Sequence, residues 1–560
     1  MVSFSAVACS NSSSPPREEQ PVDSGGEDAT TDTAIDDGAD RSDTSDSTAP
    51  AAFLPGPYGT TPRSVAGPFV VPTSDGPWSF VDNWTGADHY VFTVFAPGST
   101  LTSDYFRTLF RPVSVPRLLA ASPKNVHYFF LWTKDQPGFE TFRAAAQTAI
   151  DGLADADQWK PRVHFVTDKA DTLEGWVGDV IRARTTGKLP YKRYDAQQFA
   201  VDRTQHVREV GMLGRLGGSG TAPDLSFLAS EAVYYEFEYA REQRLGKTVA
   251  TVVPVMKDET VVETKYVEVT LPDAATMATF DTLEVDLTMN CENHRDGECG
   301  AWDYISDLRL CDETLPPPDP DAGPDAAPPD PKCDLELARW ITSYWREGRW
   351  VTDVSGMLAF LQKGGKTKLR WYASRQWDPR TASYVASMSL RFSNTGKKMR
   401  PVSAIKLWDG GTLNDTYAAG HPERTVVIPA GTKKAEVYAL ITGHGSETEQ
   451  CAEFCNHTHH FTMNGGTKHS LTFPGAQSPD GCRKLVDQGV VPNQFGTWYF
   501  GRGGWCPGYD VRPFVADVTA DLKPGGGDVV RYEALIGTAA PVAGSGYGNI
   551  DLSAYLVLWQ

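Results

Sequence analysis

Long apolar runs are absent from this chain of 560 residues. Since no stretch approaches the roughly 18 uncharged apolar residues that cross a bilayer as a helix, we expect a soluble body. Cysteine is absent between positions 9 and 291, which excludes thiol redox chemistry from the first folded region. The Cys-x2-Cys spacing typical of many zinc and redox motifs is absent throughout.

A surplus of positive charge is also absent, because 52 basic side chains stand against 71 acidic ones, for a formal net charge of −19. Residues 1–50 carry a net charge of −9 and segment 311–333 one of −5, so the rest of the chain is nearly balanced. This balance argues against nucleic acid as a partner. We expect both acidic segments to be solvated, residues 1–55 as a disordered leader and 311–333 as a Pro- and Asp-rich surface loop.

Nine cysteines are present, and eight of them follow residue 290: Cys291, Cys299, Cys311, Cys333, Cys451, Cys455, Cys482 and Cys506. An even number allows four disulfides, which predicts an exported protein, either secreted or held at the cell envelope. The ninth, Cys9, follows the small residues Ser5 to Ala8. This pattern resembles a bacterial lipoprotein cleavage site and predicts a lipid anchor; the alternative is a chance cysteine in a disordered tail.

Strand and helix signals alternate in residues 56–246. The predicted strands lie at 89–96, 126–132, 162–167 and 199–201, and the predicted helices at 139–153, 173–185 and 224–245. This alternation predicts an α/β layer fold, with a weak resemblance to a thioredoxin-type domain. Because the region has no cysteine, we interpret it as an accessory spacer or docking domain that is separable from the rest.

Residues 247–560 carry almost no helix signal. Short segments rich in Val, Thr, Tyr and Phe recur at 249–255, 261–271, 283–289, 367–372, 384–392, 404–408, 425–428, 435–441, 529–535 and 554–559. Strands of this length and spacing predict sandwiches or jelly rolls. The predicted fold class is therefore mainly β, with two adjacent jelly-roll β-sandwiches, 247–396 and 397–560, preceded by the α/β domain.

The stretch from Gln450 to Phe461 is the densest in reactive groups. Cys451 and Cys455 flank Glu453, and three histidines follow. Two cysteines at this spacing lie about 6 Å apart at Cα in a single turn, within reach of a disulfide that would hold the glutamate on a small loop. The alternative is a metal clip formed by the cysteines and histidines. We favour the disulfide, and hence no metal.

Two further segments gather groups suited to carbohydrate. They contribute a carboxylate, a fixed cation and indole rings: Trp302 and Asp303 in segment 290–304, and Arg502 and Trp505 in segment 501–508. Indole rings stack on the apolar faces of sugars, while a few placed polar groups fix the orientation of the ligand. Together with Glu453, these residues predict a sugar site.

The same residues resemble those of the peptide-N-glycosidase F type glycoasparagine amidases, over residues 247–560. Four runs occur in the family's order: Cys299-Gly-Ala-Trp-Asp303, Ile341-Thr-Ser-Tyr-Trp345, Cys451-Ala-Glu-Phe-Cys455 with Thr458-His459, and Arg502-Gly-Gly-Trp-Cys-Pro-Gly508. The resemblance implies two jelly rolls side by side with the active site between them. It also implies the disulfides Cys291–Cys299, Cys451–Cys455 and Cys482–Cys506, which leaves Cys311 and Cys333 as a pair private to this chain.

The resemblance assigns roles to individual residues. The family's essential aspartate falls on Asp303 and its cysteine-bracketed glutamate on Glu453, and these are the implied catalytic residues. The implied substrate-binding residues are Trp302, Tyr304, Trp377, Phe454, His459, Arg502 and Trp505. This chain departs from the family in having Tyr304 in place of Arg, Phe454 in place of Trp, and no carboxylate ahead of Trp377.

The implied reaction is hydrolysis of the amide bond between asparagine and the innermost N-acetylglucosamine of an N-glycan, which yields aspartate and a glycosylamine. We expect a monomeric hydrolase that acts on N-glycosylated proteins or glycopeptides without a metal or other cofactor. Asp303 would do the acid/base work, Glu453 would position water, and Arg502 would stabilise charge on the amide oxygen.

Two alternatives stay open at this point. The first is a non-catalytic glycan-binding or adhesion protein, favoured by the missing carboxylate ahead of Trp377. The second is a copper monooxygenase built on paired jelly rolls, with ligands from His457, His459, His460 and Met463. That enzyme needs further histidines in the first jelly roll, where residues 247–392 contain only one.

Overall fold

The structure is a computed structural model, and it describes residues 51–560 except 96–108, 134–136, 186–197, 214–215, 217–222, 262, 313–330, 374–382, 446–450, 524–525 and 544–547. Residues 1–50 of the predicted leader, the predicted lipid anchor at Cys9 and the site residue Trp377 lie outside the described residues. Residues 51–55 of that leader are described and packed, which corrects its predicted end: the ring of Phe53 lies 5.4 Å from that of Phe80, and the N–H of Leu54 donates to Gln205 Oε1 at 2.6 Å. None of the described helices is long and apolar enough to cross a membrane.

The first part of the chain forms one mixed seven-stranded sheet. Its strands are β1 (Val70–Thr73), β2 (Gly76–Ser79), β3 (His89–Val94), β4 (Val126–Trp132), β5 (Val163–Lys169), β6 (Phe199–Val201) and β7 (Val207–Arg208), in the order β2-β1-β5-β4-β3-β6-β7. The helices are α1 (Ser114–Ala121), α2 (Phe139–Asp151), α3 (Ala156–Trp159), α4 (Gly175–Thr185) and α5 (Ala229–Lys247). Strands β3, β4 and β5 run parallel, and the predicted α/β layer is confirmed.

Local sequence explains the main elements of this layer. Strands β3 and β4 are apolar almost throughout because helices cover both faces of a parallel sheet. Helix α5 continues a 3-10 turn, Leu225–Leu228, and the carboxylate of Asp224 caps that turn by accepting a hydrogen bond from the backbone N–H of Ser226 at 2.9 Å. Arg244 and Lys247 in the last turn complement the helix dipole.

The first jelly roll contains, within the residues that the structure describes, eight strands in sequence. They are β8 (Ala250–Val261), β9 (Thr264–Asp273), β10 (Thr282–Asn290), β11 (Ile305–Leu310), β12 (Leu335–Ile341), β13 (Gly348–Asp353), β14 (Gly364–Tyr372) and β15 (Tyr384–Ser393), with short helices α6 (Ala274–Met277) and α7 (Leu358–Leu361). One sheet has the order β13-β10-β15-β8, and the facing sheet has the order β21-β12-β11-β14-β9, in which β21 is Tyr509–Asp510 from the second jelly roll.

The second jelly roll supplies the remaining strands. They are β16 (Pro401–Thr412), β17 (Arg424–Val427), β18 (Lys434–His444), β19 (His457–Met463), β20 (Lys468–Thr472), β21 (Tyr509–Asp510), β22 (Phe514–Asp517), β23 (Gly527–Ile536) and β24 (Asn549–Trp559), with helix α8 (Tyr417–Gly420). Its sheets have the orders β16-β24-β18-β22 and β17-β23-β19-β20. Strand β21 crosses to the first jelly roll, where Tyr509 pairs with Ile341. The predicted mainly-β class with two jelly rolls is confirmed.

Several strands escaped the sequence-based prediction, among them β11, β12, β13 and β19. Strand β12 shows why, because two of its buried residues are Glu336 and Arg339, which no apolar pattern reveals. These two side chains neutralise each other at 2.7 Å. Strands with plain alternation of buried and half-buried residues, such as β15, were found.

One face of the α/β layer shares a core with the two jelly rolls, which corrects the expectation of a separable domain. A single cluster of contacting buried side chains runs from Phe142 and Phe227 of the α/β layer through Trp340 of the first jelly roll to Tyr555 of the second. Phe227 makes edge contacts with Tyr499, ring centroids 5.1 Å apart. The other face of the α/β sheet has a core of its own, from Ala66 to Val207, and the second jelly roll has one from Leu407 to Leu558. The shared cluster nevertheless means that removal of the α/β layer would expose apolar side chains of the jelly rolls.

Four disulfides are present: Cys291–Cys299, Cys311–Cys333, Cys451–Cys455 and Cys482–Cys506. Three of them, Cys291–Cys299, Cys451–Cys455 and Cys482–Cys506, are the pairs that the family resemblance implied, and Cys311–Cys333 is the remaining pair. The three implied pairs lie in or next to the segments singled out for the site, and Cys311–Cys333 joins the two ends of the Pro- and Asp-rich segment.

Candidate active site

The first wall of the site is the segment between β10 and β11. The Cys291–Cys299 disulfide closes a loop directly after β10, and the chain then passes through Trp302 and Asp303 into β11. The hydroxyl of Thr342 fixes this passage, because it donates to the carbonyl of Trp302 at 2.6 Å and accepts from the N–H of Tyr304 at 2.9 Å. Asp303 therefore lies between two residues, Trp302 and Tyr304, whose backbone groups are both hydrogen-bonded to the side chain of Thr342.

The second wall is the Cys451–Cys455 loop between β18 and β19. Its Cα atoms at the disulfide are 5.6 Å apart. The backbone N–H of Glu453 donates to the carbonyl of Gly445 at 3.0 Å, and the carbonyl of Glu453 accepts from the N–H of Gly503 at 2.6 Å. The glutamate is thus fixed from both sides, by the end of β18 and by the glycine-rich loop.

The floor of the site is the glycine-rich loop that carries Arg502. A side chain at Gly503 would collide with the carbonyl of Ala452, so the close approach of the two loops requires glycine there. Arg502 Nη1 donates to the carbonyl of Phe500 at 2.7 Å. Its guanidinium lies 5.1 Å from the ring centre of Trp505, whose indole N–H donates to the carbonyl of Gly443 at 2.6 Å.

The three segments converge on the guanidinium of Arg502. Its Nη2 is 3.8 Å from Asp303 Oδ2 of the first jelly roll, and its Nε is 3.4 Å from Glu453 Oε1 of the second. Neither contact is an aligned hydrogen bond, and Arg502 Nε has no hydrogen-bond partner among the described residues, so the attraction is an ion pair. The arginine side chain is only 2% exposed, whereas the carboxylates of Asp303 and Glu453 are 18% and 21% exposed.

Both carboxyl groups are shifted toward the protonated form. Burial raises the pKa of Asp303, while the charge of Arg502 and a hydrogen bond from Tyr344 act in the opposite direction. Burial raises the pKa of Glu453 to about 7, opposed by Arg502 and reinforced by the charge of Asp303. Glu453 can therefore exchange a proton with a ligand near neutral pH, and Asp303 is a stronger base than an exposed aspartate.

Tyr344 is a site residue that the sequence prediction missed. Its hydroxyl is hydrogen-bonded to Asp303, and burial together with the charge of Asp303 raises the pKa of the phenol well above its usual range. The phenol therefore stays protonated and donates to the carboxylate. Its backbone N–H donates to Gln494 Oε1 at 2.8 Å. The sequence feature that could have identified Tyr344 is its place in the run Ile341–Trp345, to which no role was assigned.

The predicted substrate-binding residues fall into two groups. Trp302, with 43% of its surface exposed, and the half-buried Tyr304 and Phe454 lie at or near the surface. Arg502 and Trp505 are more than nine-tenths buried, so they offer almost no surface to a ligand. Arg502 lies against both carboxylates, and Trp505 lies against Arg502.

His459 requires a correction, because it has no exposed surface and cannot touch a substrate. Its Nε2 lies 2.6 Å from Nδ1 of His457, and its Nδ1 lies 2.8 Å from the hydroxyl of Tyr532. Burial lowers the pKa of both histidines, which keeps the rings neutral. Both nitrogens of His459 are engaged within the protein. Among the described residues, no three His, Cys, Asp or Glu side chains form a metal-ligand group.

The fold and these contacts define a double jelly-roll protein with a two-carboxylate site at the seam between the jelly rolls. Residues 412–557 match the family model described as peptide-N-glycosidase F, C terminal. A curated relative, peptide-N(4)-(N-acetyl-beta-D-glucosaminyl)asparagine amidase F of Elizabethkingia miricola, is 23% identical over 255 residues. The match covers 42% of this chain and 63% of the relative, less than two thirds of its length.

Solved structures of such amidases are also similar to this chain. A crystal structure of a peptide-N(4)-(N-acetyl-beta-D-glucosaminyl)asparagine amidase is matched at 16% identity and a TM-score of 0.44, over 56% of this chain and 96% of the other. The structure of PNGase F, a glycosylasparaginase from Flavobacterium meningosepticum, is matched at 16% identity and a TM-score of 0.42, over 55% and 96% of the two chains. The family model and the curated relative confirm the resemblance read from the sequence: residues 412–557 are similar to the C-terminal part of peptide-N-glycosidase F.

Proposed function

We propose that this protein hydrolyses the amide bond between asparagine and the innermost N-acetylglucosamine of N-glycoproteins or glycopeptides. The observation that carries the proposal is the convergence of Asp303 and Glu453, from two different jelly rolls, on the buried guanidinium of Arg502. The relative's name, an asparagine amidase acting at N-acetylglucosamine, supports the choice of reaction.

The reaction needs a base for water and an acid for the leaving nitrogen. In the proposed cycle the carboxylate of Asp303 accepts a proton as water attacks the amide carbon, and the carboxyl then returns this proton to the nitrogen as the carbon–nitrogen bond breaks. The products are aspartate and a glycosylamine. Because burial raises its pKa, Asp303 is a stronger base than an exposed aspartate.

Glu453 and Tyr344 complete the proposed chemistry. With a pKa of about 7, Glu453 is present in both forms near neutral pH and holds the attacking water or a sugar hydroxyl. Tyr344 donates to Asp303 and fixes the direction of its free lone pairs. Arg502 is assigned a positioning role, in place of the predicted contact with the amide oxygen, because its side chain is almost completely buried. The exposed ring of Trp302 is proposed to stack on the sugar.

Export to an oxidising compartment is part of the same proposal. Four disulfides are consistent with it. The proposed substrates, N-glycosylated proteins, are themselves found outside the cytosol. We propose a monomer that needs neither a metal nor another cofactor.

The test is incubation of the purified protein with an N-glycosylated peptide, followed by mass spectrometry. Hydrolysis converts asparagine to aspartate and adds about 1 Da to the peptide. Asp303→Asn preserves shape but removes the acid/base group, so release should fall by about 10²- to 10⁴-fold while glycopeptide binding persists. Binding without release in the parent chain would favour the glycan-binding alternative. Loss of activity on chelation and in His460→Ala would favour the copper enzyme.

A further inference from the structure

We infer that the α/β layer is a structural part of the active site: Glu231 of helix α5 holds, through Arg346 and Asn493, the loops that carry Asp303 and Tyr344. The inference rests on the proposed function for its catalytic consequence, and on geometry for the restraint itself. Glu231, Asp296, Arg346 and Asn493 are called the Arg346 hub below.

Arg346 is the centre of the hub. It lies two residues after Tyr344 and is only 6% exposed. Its Nε donates to Asp296 at 3.1 Å, and its Nη1 donates to Glu231 at 2.8 Å and to the carbonyl of Pro492. One guanidinium therefore ties the first jelly roll to the α/β layer and to the second jelly roll.

Asp296 connects the hub to the catalytic aspartate. It lies inside the Cys291–Cys299 loop, seven positions before Asp303. Besides Arg346, its carboxylate accepts from the backbone N–H of Gly211 of the α/β layer at 3.0 Å. Burial raises the pKa of Asp296 to about 7, and the charge of Arg346 opposes this rise, so the ionised form depends on Arg346.

Asn493 connects the hub to Tyr344. Its side-chain N–H groups donate to Glu231 at 2.8 Å and to the carbonyl of Phe227 at 2.9 Å. Its backbone carbonyl accepts from the backbone N–H of Met212 of the α/β layer at 2.7 Å. The next residue, Gln494, accepts from the N–H of Tyr344. Two series of contacts thus lead from helix α5 to the site. One passes through Arg346 and Asp296 to the loop of Asp303, and the other passes through Asn493 and Gln494 to Tyr344, the hydrogen-bond partner of Asp303.

Glu231 is the member that belongs to the α/β layer and is fully buried. A buried carboxylate with two donors, one of them charged, restrains both donors strongly, because moving either leaves charge unpaired in an apolar surrounding. Since misplacement of reacting groups by about 1 Å can cost about 100-fold in rate, loss of this restraint acts on turnover even though no hub residue reaches the substrate.

The experiment compares Glu231→Gln with Glu242→Gln. Both residues lie on α5 and pair with arginines of the first jelly roll, but Glu242 pairs with Arg349 of β13, at 2.9 Å, outside the Arg346 hub. We measure kcat and KM on an N-glycosylated peptide, and amide hydrogen exchange in peptides that span 291–303 and 342–347. For Glu231→Gln we expect kcat to fall by about 10- to 100-fold with KM within about threefold, and faster exchange in both segments; Glu242→Gln should match the parent.

Unchanged exchange and unchanged kcat in Glu231→Gln would overturn the inference, as would equal effects in the two variants. If Glu231→Gln does not fold, Asn493→Gly carries the test, because glycine tolerates the left-handed backbone there (φ 47°) and every charge of the hub is kept. If the parent releases no glycan, the proposed function fails, while the exchange measurement still decides whether the α/β layer restrains the two loops.

Discussion

The shared cation is the feature of the site whose removal gives the clearest prediction. Replacing Arg502 by methionine keeps the length and apolar contacts of the side chain but removes the charge between Asp303 and Glu453. We expect the pKa of Glu453 to rise, because the cation that favours its ionised form is gone while burial and the charge of Asp303, both of which raise the pKa, stay.

The magnitude follows from the distance. A unit charge 3.4 Å from Glu453 Oε1 interacts with about 5 kcal/mol at an effective dielectric constant of 20, which corresponds to roughly 3.5 pKa units. Since about a fifth of the glutamate side chain faces solvent, water screens part of this attraction, and we expect a rise of about 1 to 3 units. The glutamate, with a pKa of about 7 in the parent, would then stay protonated up to about pH 8 to 10.

The assay is the pH dependence of kcat/KM for release of glycan from a glycopeptide, measured between about pH 5 and 10. In the parent we expect a limb of the pH profile near pH 7, a change of kcat/KM that follows the titration of Glu453 and disappears in Glu453→Gln. In Arg502→Met the limb should move to higher pH, with a lower rate throughout. Arg531→Met is the matched control, because Arg531 is exposed and pairs with Glu423 at 2.8 Å on the surface. A limb at the same pH in Arg502→Met and parent would refute the assignment of the shared cation.

Three further outcomes are expected. Glu453→Gln should lower glycan release less than Asp303→Asn does, as fits a group that positions water; a larger loss would exchange their roles. Replacing the Cys451–Cys455 pair by serines should lower stability by about 2 kcal/mol, measured by thermal unfolding, and lower kcat at least about tenfold. Breaking Cys311–Cys333, which closes a longer loop, should lower stability by about 3 kcal/mol and leave kcat unchanged. Equal kcat in the two variants would contradict the role of the small loop. Deleting residues 51–247 should give aggregated protein, detected by size-exclusion chromatography. Each core side chain that the deletion exposes costs about 1.5 to 3 kcal/mol, against a total stability of about 5 to 15 kcal/mol. A soluble pair of jelly rolls would refute the shared core.

Local sequence patterns predicted much of the fold. The apolar runs of β3 and β4 and the alternation in β15 were recognised because their side chains meet one kind of environment along the whole strand. Strand β12 was missed because its environment includes the partner charges of Glu336 and Arg339, which are neighbours only in the folded chain. Helix α5 was predicted from residue 224, and the structure begins it at Ala229 after a 3-10 turn.

The candidate site divides in the same way. Asp303 and Glu453 were proposed from motifs, because each stands in a short run whose cysteines and glycines are visible in the sequence. Tyr344 was missed and His459 was misplaced, because exposure and hydrogen-bond partners depend on which strands cover a residue. The direction in which Arg502 faces, toward the carboxylates and away from solvent, is likewise a property of the packed loops.

The sequence by itself determined the mainly-β composition, the pairing capacity of eight cysteines and the short runs that hold the candidate catalytic carboxylates, since each of these is a local property of residue type and spacing. Only the tertiary structure decided that one face of the α/β layer shares a core with the jelly rolls and that Arg346 ties all three parts together. The physical reason is that burial and charge pairing join residues more than a hundred positions apart, and no local pattern records such contacts.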